Sequence, residues 1–132
     1  MPRHLLSLSY FFPPFGGAGV QRALKLCQAA PAHDWQVTVV AAAPRDSEAQ
    51  DPSMLADVPA ELEVIRTDAF RLGALGPWAT RWTAPDPYLG WYPYALDAAE
   101  DALRSRRFDA VLSTSMPYTA HLVARTIKRD KS

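Results

Sequence analysis

Two short stretches of this 132-residue chain hold residues whose types and spacing suit chemistry. Near the start, Gly16-Gly17-Ala18-Gly19 sets glycines ahead of an apolar-periodic segment. A glycine turn between a strand and a helix lets a ligand approach the backbone closely and aims free N–H groups at it from the positive helix end. Phosphate or another anion is the natural guest. Near the other end, Ser113-Thr114-Ser115 sets hydroxyls in a row, with Tyr118 just beyond. Such hydroxyls orient a polar substrate, or simply cap the helix that follows. Between them lies an aromatic segment with Trp78, Trp82, Asp86, Tyr88, Trp91, Tyr92 and Tyr94. Its rings suit stacking on sugars or lipid, or packing beneath a long loop.

The familiar phosphate loops can be tested against the glycine turn. A Walker loop closes on Gly-Lys-Ser/Thr, whereas Gly19 is followed by Val20-Gln21-Arg22, which excludes it. The dinucleotide fingerprint needs a third glycine three residues after the second, and Arg22 stands there. It also needs an acidic residue closing the second strand, where this chain has Ala41-Ala42-Ala43-Pro44. An NAD enzyme is disfavoured on both counts. What remains is a phosphate-tolerant turn with nothing to hold an adenosine ribose. A purely structural turn stays open as well.

The elements that must position these stretches follow from periodicity. Residues 4–10 (HLLSLSY) read as a strand, and Pro13-Pro14 stop any regular structure after it. Val20, Ala23, Leu24, Cys27 and Ala30 have helical spacing. Residues 37–41 (VTVVA) have too few polar positions for a half-exposed strand and read as a buried parallel one. Residues 42–61 form a polar connection with one helical turn, capped by Asp51 with Pro52 at its first position. Residues 62–66 are a third strand, and 68–90 are irregular and too long for a mere connector. Tyr92, Ala95, Leu96, Ala99 and Leu103 mark an amphipathic helix, and residues 108–112 a fourth, buried strand. Ala120, Val123, Ala124 and Ile127 share one face of a last helix, with Pro117 in its first turn. Strands alternating with helices imply a Rossmann-like, doubly wound α/β fold: a parallel sheet ordered 3-2-1-4, half of the full arrangement, with helices on both faces. Its switch point falls between strands one and four. Segments 11–19 and 113–118 then meet at the carboxyl rim, where ligands bind in such sheets.

Composition narrows the classes further. Hydrophobic residues make up 48% of the chain, enough for a core, and the length suits one domain. Lys plus Arg and Asp plus Glu each number 14, so bulk charge points to neither nucleic acid nor an anionic membrane. The tight basic clusters, Arg104/Arg106/Arg107 and Arg125/Lys128/Arg129, fall where helices end and suit the helix dipole. His121 shares a polar face with Arg125 and Lys128 and reads as a solvated helix residue. The single cysteine, Cys27, excludes an internal disulfide and a Cys-rich metal site, and its apolar face makes it a buried small hydrophobe. No run approaches the roughly 18 apolar residues of a membrane span. The start is too short and too soon polar for a signal peptide, so the expected compartment is the cytoplasm.

The stretch Tyr10-Phe11-Phe12-Pro13-Pro14-Phe15-Gly16-Gly17-Ala18-Gly19-Val20-Gln21-Arg22 resembles the opening of the N-terminal domain of glycosyltransferase family 4, which has the GT-B fold. Pro85-Asp86-Pro87-Tyr88-Leu89-Gly90-Trp91 resembles a block ahead of the helix that precedes strand four, and Ser113-Thr114-Ser115-Met116-Pro117-Tyr118 resembles the loop after that strand. The resemblance implies that residues 1–132 are an incomplete N-terminal, acceptor-side Rossmann-like domain, with the C-terminal donor-binding domain absent. The parent would be a retaining transferase that moves a sugar from a nucleotide-diphosphate sugar to a sugar or lipid-linked acceptor.

On that resemblance Gly16, Gly17, Gly19, Ser113, Thr114, Ser115 and Tyr118 border donor and acceptor, while Asp86, Tyr88 and Trp91 belong to an acceptor loop. Ser115 holds the place where many relatives carry a catalytic-site histidine and is the candidate catalytic residue. Tyr88 stands where members of the subgroup often have histidine. The resemblance implies no metal and no cofactor beyond the nucleotide-sugar substrate, and the balanced charge gives no nucleic-acid partner. It leaves room for peripheral contact with the inner face of the membrane. The fragment alone is expected to be inactive, and to self-associate through the unpaired edge of strand four. Two other readings stay open: a non-catalytic α/β binding or interaction module, and a sugar-nucleotide epimerase of the same fold. Polypeptide following Ser132 would discriminate them, a second Rossmann-like half with a Glu-rich donor-sugar motif marking the transferase.

Overall fold

A computed structural model of the chain describes residues 2–45, 48–70, 75, 76, 78, 86, 88–115 and 117–131. Its elements are β1 (Arg3–Leu8), α1 (Ala18–Ala29), β2 (Trp35–Ala42), β3 (Glu63–Thr67), α2 (Tyr92–Ser105), β4 (Ala110–Ser113) and α3 (Thr119–Lys131). Every strand pair is parallel, and the order across the sheet is β3-β2-β1-β4. The fold is therefore a Rossmann-like α/β sheet with its switch point between β1 and β4.

Alternation along the strands decides the layers. Leu6 and Leu8 of β1, with Val40 and Ala42 of β2, pack beneath α2 and α3 against Ala95, Ala99, Ala120 and Val123. Val37, Val39 and Ala41 point the other way, to Ala23 and Cys27 of α1. Leu6, Leu8, Val39 and Val40 keep no exposed surface. Burial of a side chain of this kind contributes about 1.5–3 kcal/mol. Cys27 is buried as its helical spacing predicts, and desolvation pushes its thiol pKa up to about 11. The expected turn after Asp51 is a 3-10 segment, Pro52–Asp57, whose cap is Asp51 accepting from the Ser53 N–H at 3.1 Å.

Three expectations change. The first strand stops at Leu8 rather than residue 10, because Tyr10 leaves the sheet for an aromatic cluster while its carbonyl still takes the Ala42 N–H at 3.2 Å. Pro117 lies ahead of α3 rather than in its first turn; its carbonyl accepts from Ala120 N at 3.3 Å. The fourth strand is not buried. Among the described residues it pairs with β1 alone, and Val111 and Leu112 are 36% and 37% exposed.

Candidate functional site

The carboxyl ends of β1 and β4 lie side by side, with Leu8 paired to Ser113. The chain leaves β1 through Ser9, which is buried, and its hydroxyl meets the Thr114 hydroxyl at 2.9 Å. Thr114 N also donates to the Leu8 carbonyl at 3.2 Å. These contacts join the two loops directly. A net contribution of about 0.5–1.5 kcal/mol per hydrogen bond is enough to fix their register locally.

One step along, Ser113 Oγ lies 2.6 Å from His121 Nδ1. Helical side chains lean toward the helix N-terminus, so a histidine in the first turn of α3 reaches back to the strand end. His121 is exposed, but it is bonded to the rim rather than merely solvated. The sequence reading missed this pairing. Whether serine or histidine donates follows the imidazole tautomer. Ser115 is half-buried and makes no side-chain hydrogen bond to another described residue, so its hydroxyl is available. Tyr118 is half exposed, its ring 6.3 Å from that of His121. Met116, in the same loop, lies outside the described residues.

The aromatic segment is tied to the same rim by a buried carboxylate. Asp86 accepts from Thr119 N at 3.1 Å and Thr119 Oγ1 at 2.9 Å, and from Tyr88 N at 3.0 Å. It thus caps α3 from 33 residues away in the chain. Charge at a helix N-terminus is favourable, and both carboxylate oxygens are engaged, so Asp86 serves as a clamp in this arrangement. Tyr88 packs on Tyr10 and Phe11 with ring centroids 4.9 and 5.4 Å apart. Trp91 is fully buried against Tyr10, and its indole N–H donates to Thr67 Oγ1 at 2.8 Å. It therefore belongs to the core and has no surface to offer a ligand. Trp78 is exposed, while Trp82, Pro85 and Pro87 lie outside the described residues.

The glycine turn leans toward the other side of the rim. Gly16 N donates to Ala49 O at 3.3 Å, Phe15 bridges Gln50, and Asp51 N donates to Pro14 O at 2.7 Å. A Cβ on Gly16 would lie 3.5 Å from the Asp51 Cβ, so its place is close-packed but not forbidden. Gly17 has φ 110°, a conformation that only glycine adopts readily, and forms the N-cap of α1 without a side-chain cap. Gly17 and Gly19 are exposed, and a Cβ at either would meet nothing within 4 Å. The first turn of α1 carries no acidic residue. No carboxylate of that turn therefore offsets the positive end of the helix. No hydrogen bond between described residues joins this turn to 113–115; the two stand at the ends of neighbouring strands.

Arg66, which sequence reading did not single out, braces the turn from below. Its guanidinium donates to the carbonyls of Phe12, Pro13 and Ala42 and lies 5.8 Å over the Phe12 ring. Partial burial lowers its pKa from the ordinary arginine value. Grooves of about 830 and 630 Å³ run along the two sheet edges, the larger reaching Thr67 and Asp68 at the end of β3. Among the described residues, no group of three or more His, Cys, Asp and Glu is placed to hold a metal ion, and no helix is long and apolar enough to cross a membrane.

Fold and rim together define a Rossmann-like α/β chain in which the ends of β1 and β4 bring Ser9 and residues 113–115 together at the switch point. Comparisons with protein-family models, with curated proteins and with solved structures gave no match.

Proposed function

We propose that this chain is the acceptor-side part of a retaining glycosyltransferase that uses a nucleotide-diphosphate sugar. The observation that carries this reading is the meeting of three distant segments, each resembling family 4, through the Ser9–Thr114 hydroxyl pair, the Asp86 clamp on α3 and the packing of Tyr88 on Tyr10 and Phe11. In this reading the N–H groups at Gly17 and Gly19 face the donor diphosphate from the positive end of α1. Preorganised backbone dipoles of that kind stabilise leaving-group charge without reorganising during reaction. Ser115 and the Ser113–His121 pair lie on the acceptor side, where they orient hydroxyls. Asp86 and Trp91 act indirectly, by holding the loops. In the two-domain arrangement that the resemblance implies, a second body completes the site, so this chain by itself binds donor weakly and transfers nothing.

Amide NMR of the isotopically labelled chain tests this. Nucleotide-diphosphate sugars and pyrophosphate, titrated separately, should shift Gly17, Gly19 and residues 113–115 with weak affinity. Sub-micromolar binding, or shifts confined to sites away from the rim, would count against the assignment. The bare β4 edge favours a second reading, an interaction module, for which no rim shift is expected from any sugar nucleotide.

A further inference from the structure

The hydroxyls at the ends of β1 and β4 differ in what they touch. Ser9 and Thr114 are bonded to each other, and Ser115 makes no side-chain hydrogen bond to another described residue. Among the described residues of this rim, only Ser113 lies against a group that can take its proton, His121 Nδ1 at 2.6 Å. Both halves of the pair are anchored. Ser113 is paired with Leu8 in the sheet. His121 follows two residues after Thr119, whose N–H and hydroxyl are both bound by the buried Asp86 carboxylate. Its own N–H donates to the Tyr118 carbonyl at 2.9 Å. Serine and imidazole are thus held at hydrogen-bonding distance by the sheet on one side and the start of α3 on the other, and such fixed geometry lowers the entropic cost of reaction.

From this pairing we infer that Ser113 is an activated nucleophile, with His121 as its general base, and that it accepts the acyl group of a reactive ester. The inference goes beyond the proposed transferase role and does not depend on it. A serine hydroxyl is a weak nucleophile until a base within about 2.6–3.2 Å takes its proton. A neutral His121 with its proton on Nε2 leaves Nδ1 to accept from Ser113 Oγ. As Oγ attacks the ester carbonyl, the Oγ–C bond forms and the hydroxyl proton passes to Nδ1. The tetrahedral intermediate then expels the alcohol, which leaves with that proton as the ester C–O bond breaks. Water later releases the acyl group as its acid and restores the serine. Charge that builds on the carbonyl oxygen is met by backbone donors. The N–H groups of Ser115 and Tyr118, in the same loop, make no hydrogen bond to another described residue. The charged groups around the imidazole are Asp109, Arg125 and Lys128, which line one groove with it, and the Tyr118 ring lies 6.3 Å away. Among the described residues no carboxylate is bonded to Nε2, so the base works without an acidic partner. The gain is therefore set at the lower end of general-base catalysis, about a hundredfold.

A fluorophosphonate probe, which traps such serines by forming an Oγ–P bond and releasing fluoride, tests this on the 132-residue chain. Peptide mass mapping after timed exposure should place the adduct on Ser113, formed about a hundredfold faster than any on Ser115, which has no base beside it. The rate should climb with pH as the imidazolium loses its proton. His121→Gln keeps a polar side chain that cannot take the proton, and it should bring Ser113 down to the Ser115 rate. Ser113→Ala should remove the adduct. Circular dichroism confirms that each variant is folded. No adduct on Ser113, or equal rates at Ser113 and Ser115, overturns the proposal. So does His121→Gln reacting at Ser113 as fast as the parent chain, which would mark the pair as a structural hydrogen bond. None of these readouts involves a sugar nucleotide, so their failure leaves the transferase reading to its own titration.

Discussion

Replacing Asp86 by alanine removes the carboxylate that accepts from Thr119 N, Thr119 Oγ1 and Tyr88 N. Thr119 has no exposed surface, so its N–H and hydroxyl lose their partner where water cannot replace it. A buried donor left unsatisfied costs about 1–3 kcal/mol. Losing a negative charge at a helix N-terminus adds about 0.3–1 kcal/mol, and up to about 2 where partly buried. The expected loss for Asp86→Ala is thus about 3–5 kcal/mol, a large part of the roughly 5–15 kcal/mol that holds a domain folded. Asp86→Asn keeps one acceptor oxygen but loses the charge and turns an NH₂ group toward a donor. It should lose about 1–3 kcal/mol. Urea unfolding followed by circular dichroism measures both. With a slope of about 1–3 kcal/mol per molar urea, the alanine midpoint drops by at least about 1 M, and the asparagine midpoint falls between. If the alanine variant does not fold, the asparagine variant still reads the effect. Midpoints unchanged in both would refute the clamp.

Four further outcomes follow from the same geometry. The Cys27 thiol should resist Ellman's reagent at mildly alkaline pH in the native chain and react at once in denaturant; rapid native reaction would contradict its burial. Its folded-state pKa of about 11 exceeds the ordinary 9.0, so the unfolded chain loses this proton first. The stabilising contribution is whole below about pH 9 and is lost as pH rises toward 11, and Cys27→Ala should lack that share of the alkaline decline in unfolding free energy. Arg66→Lys cannot span three carbonyls with a planar fork, so amide exchange at Phe15 and Gly16 should accelerate while the sheet amides hold; uniform protection would show that the brace is idle. A Cβ at Gly90 would overlap the Phe70 carbonyl, which is backbone and cannot swing aside. Gly90→Ala should cost about 1–3 kcal/mol by thermal or urea unfolding, and no change would mean that segment 68–70 moves freely.

The fold was legible because its signals are local and repeated. The β-branched run at 37–41, the glycine turn after the first strand and the helical spacing of Val20, Leu24 and Cys27 each fix one element, and the crossover rules fix their order. Burial of the last strand was not legible. An apolar run such as Ala110-Val111-Leu112 announces a strand, but centre or edge depends on how many strands flank it, and here only β1 does. The cap of α3 was hidden for a related reason. Capping rules look next to the helix, where Ser113-Thr114-Ser115 were the natural candidates, yet the acceptor comes from Asp86 far upstream. Trp91 sits just before a well-marked helix in a loop of exposed composition. Nothing in the sequence distinguished it from Trp78, although one is fully buried and the other mostly exposed.

His121 shows where face-reading works and where it stops. Helical spacing sets it on one face with Arg125 and Lys128, and all three line one groove. What periodicity could not supply was the neighbour of that face, which is the end of β4, so that the ring meets Ser113. The consequence for the rim is a division of labour among hydroxyls that look equivalent in the sequence. Ser9 and Thr114 spend theirs on each other, and Ser113 is committed to His121, which leaves Ser115 as the free one. Among the described residues, a ligand approaching the switch point therefore meets one serine hydroxyl, an exposed imidazole, the Tyr118 ring and the bare backbone of Gly17 and Gly19. That set can orient hydroxyls and face an anion. Arg66 adds no free charge to it, because its guanidinium is occupied with carbonyls beneath the turn. If the chain takes a nucleotide-diphosphate sugar as proposed, backbone N–H groups alone hold its diphosphate loosely, so weak binding rather than none is the outcome to expect.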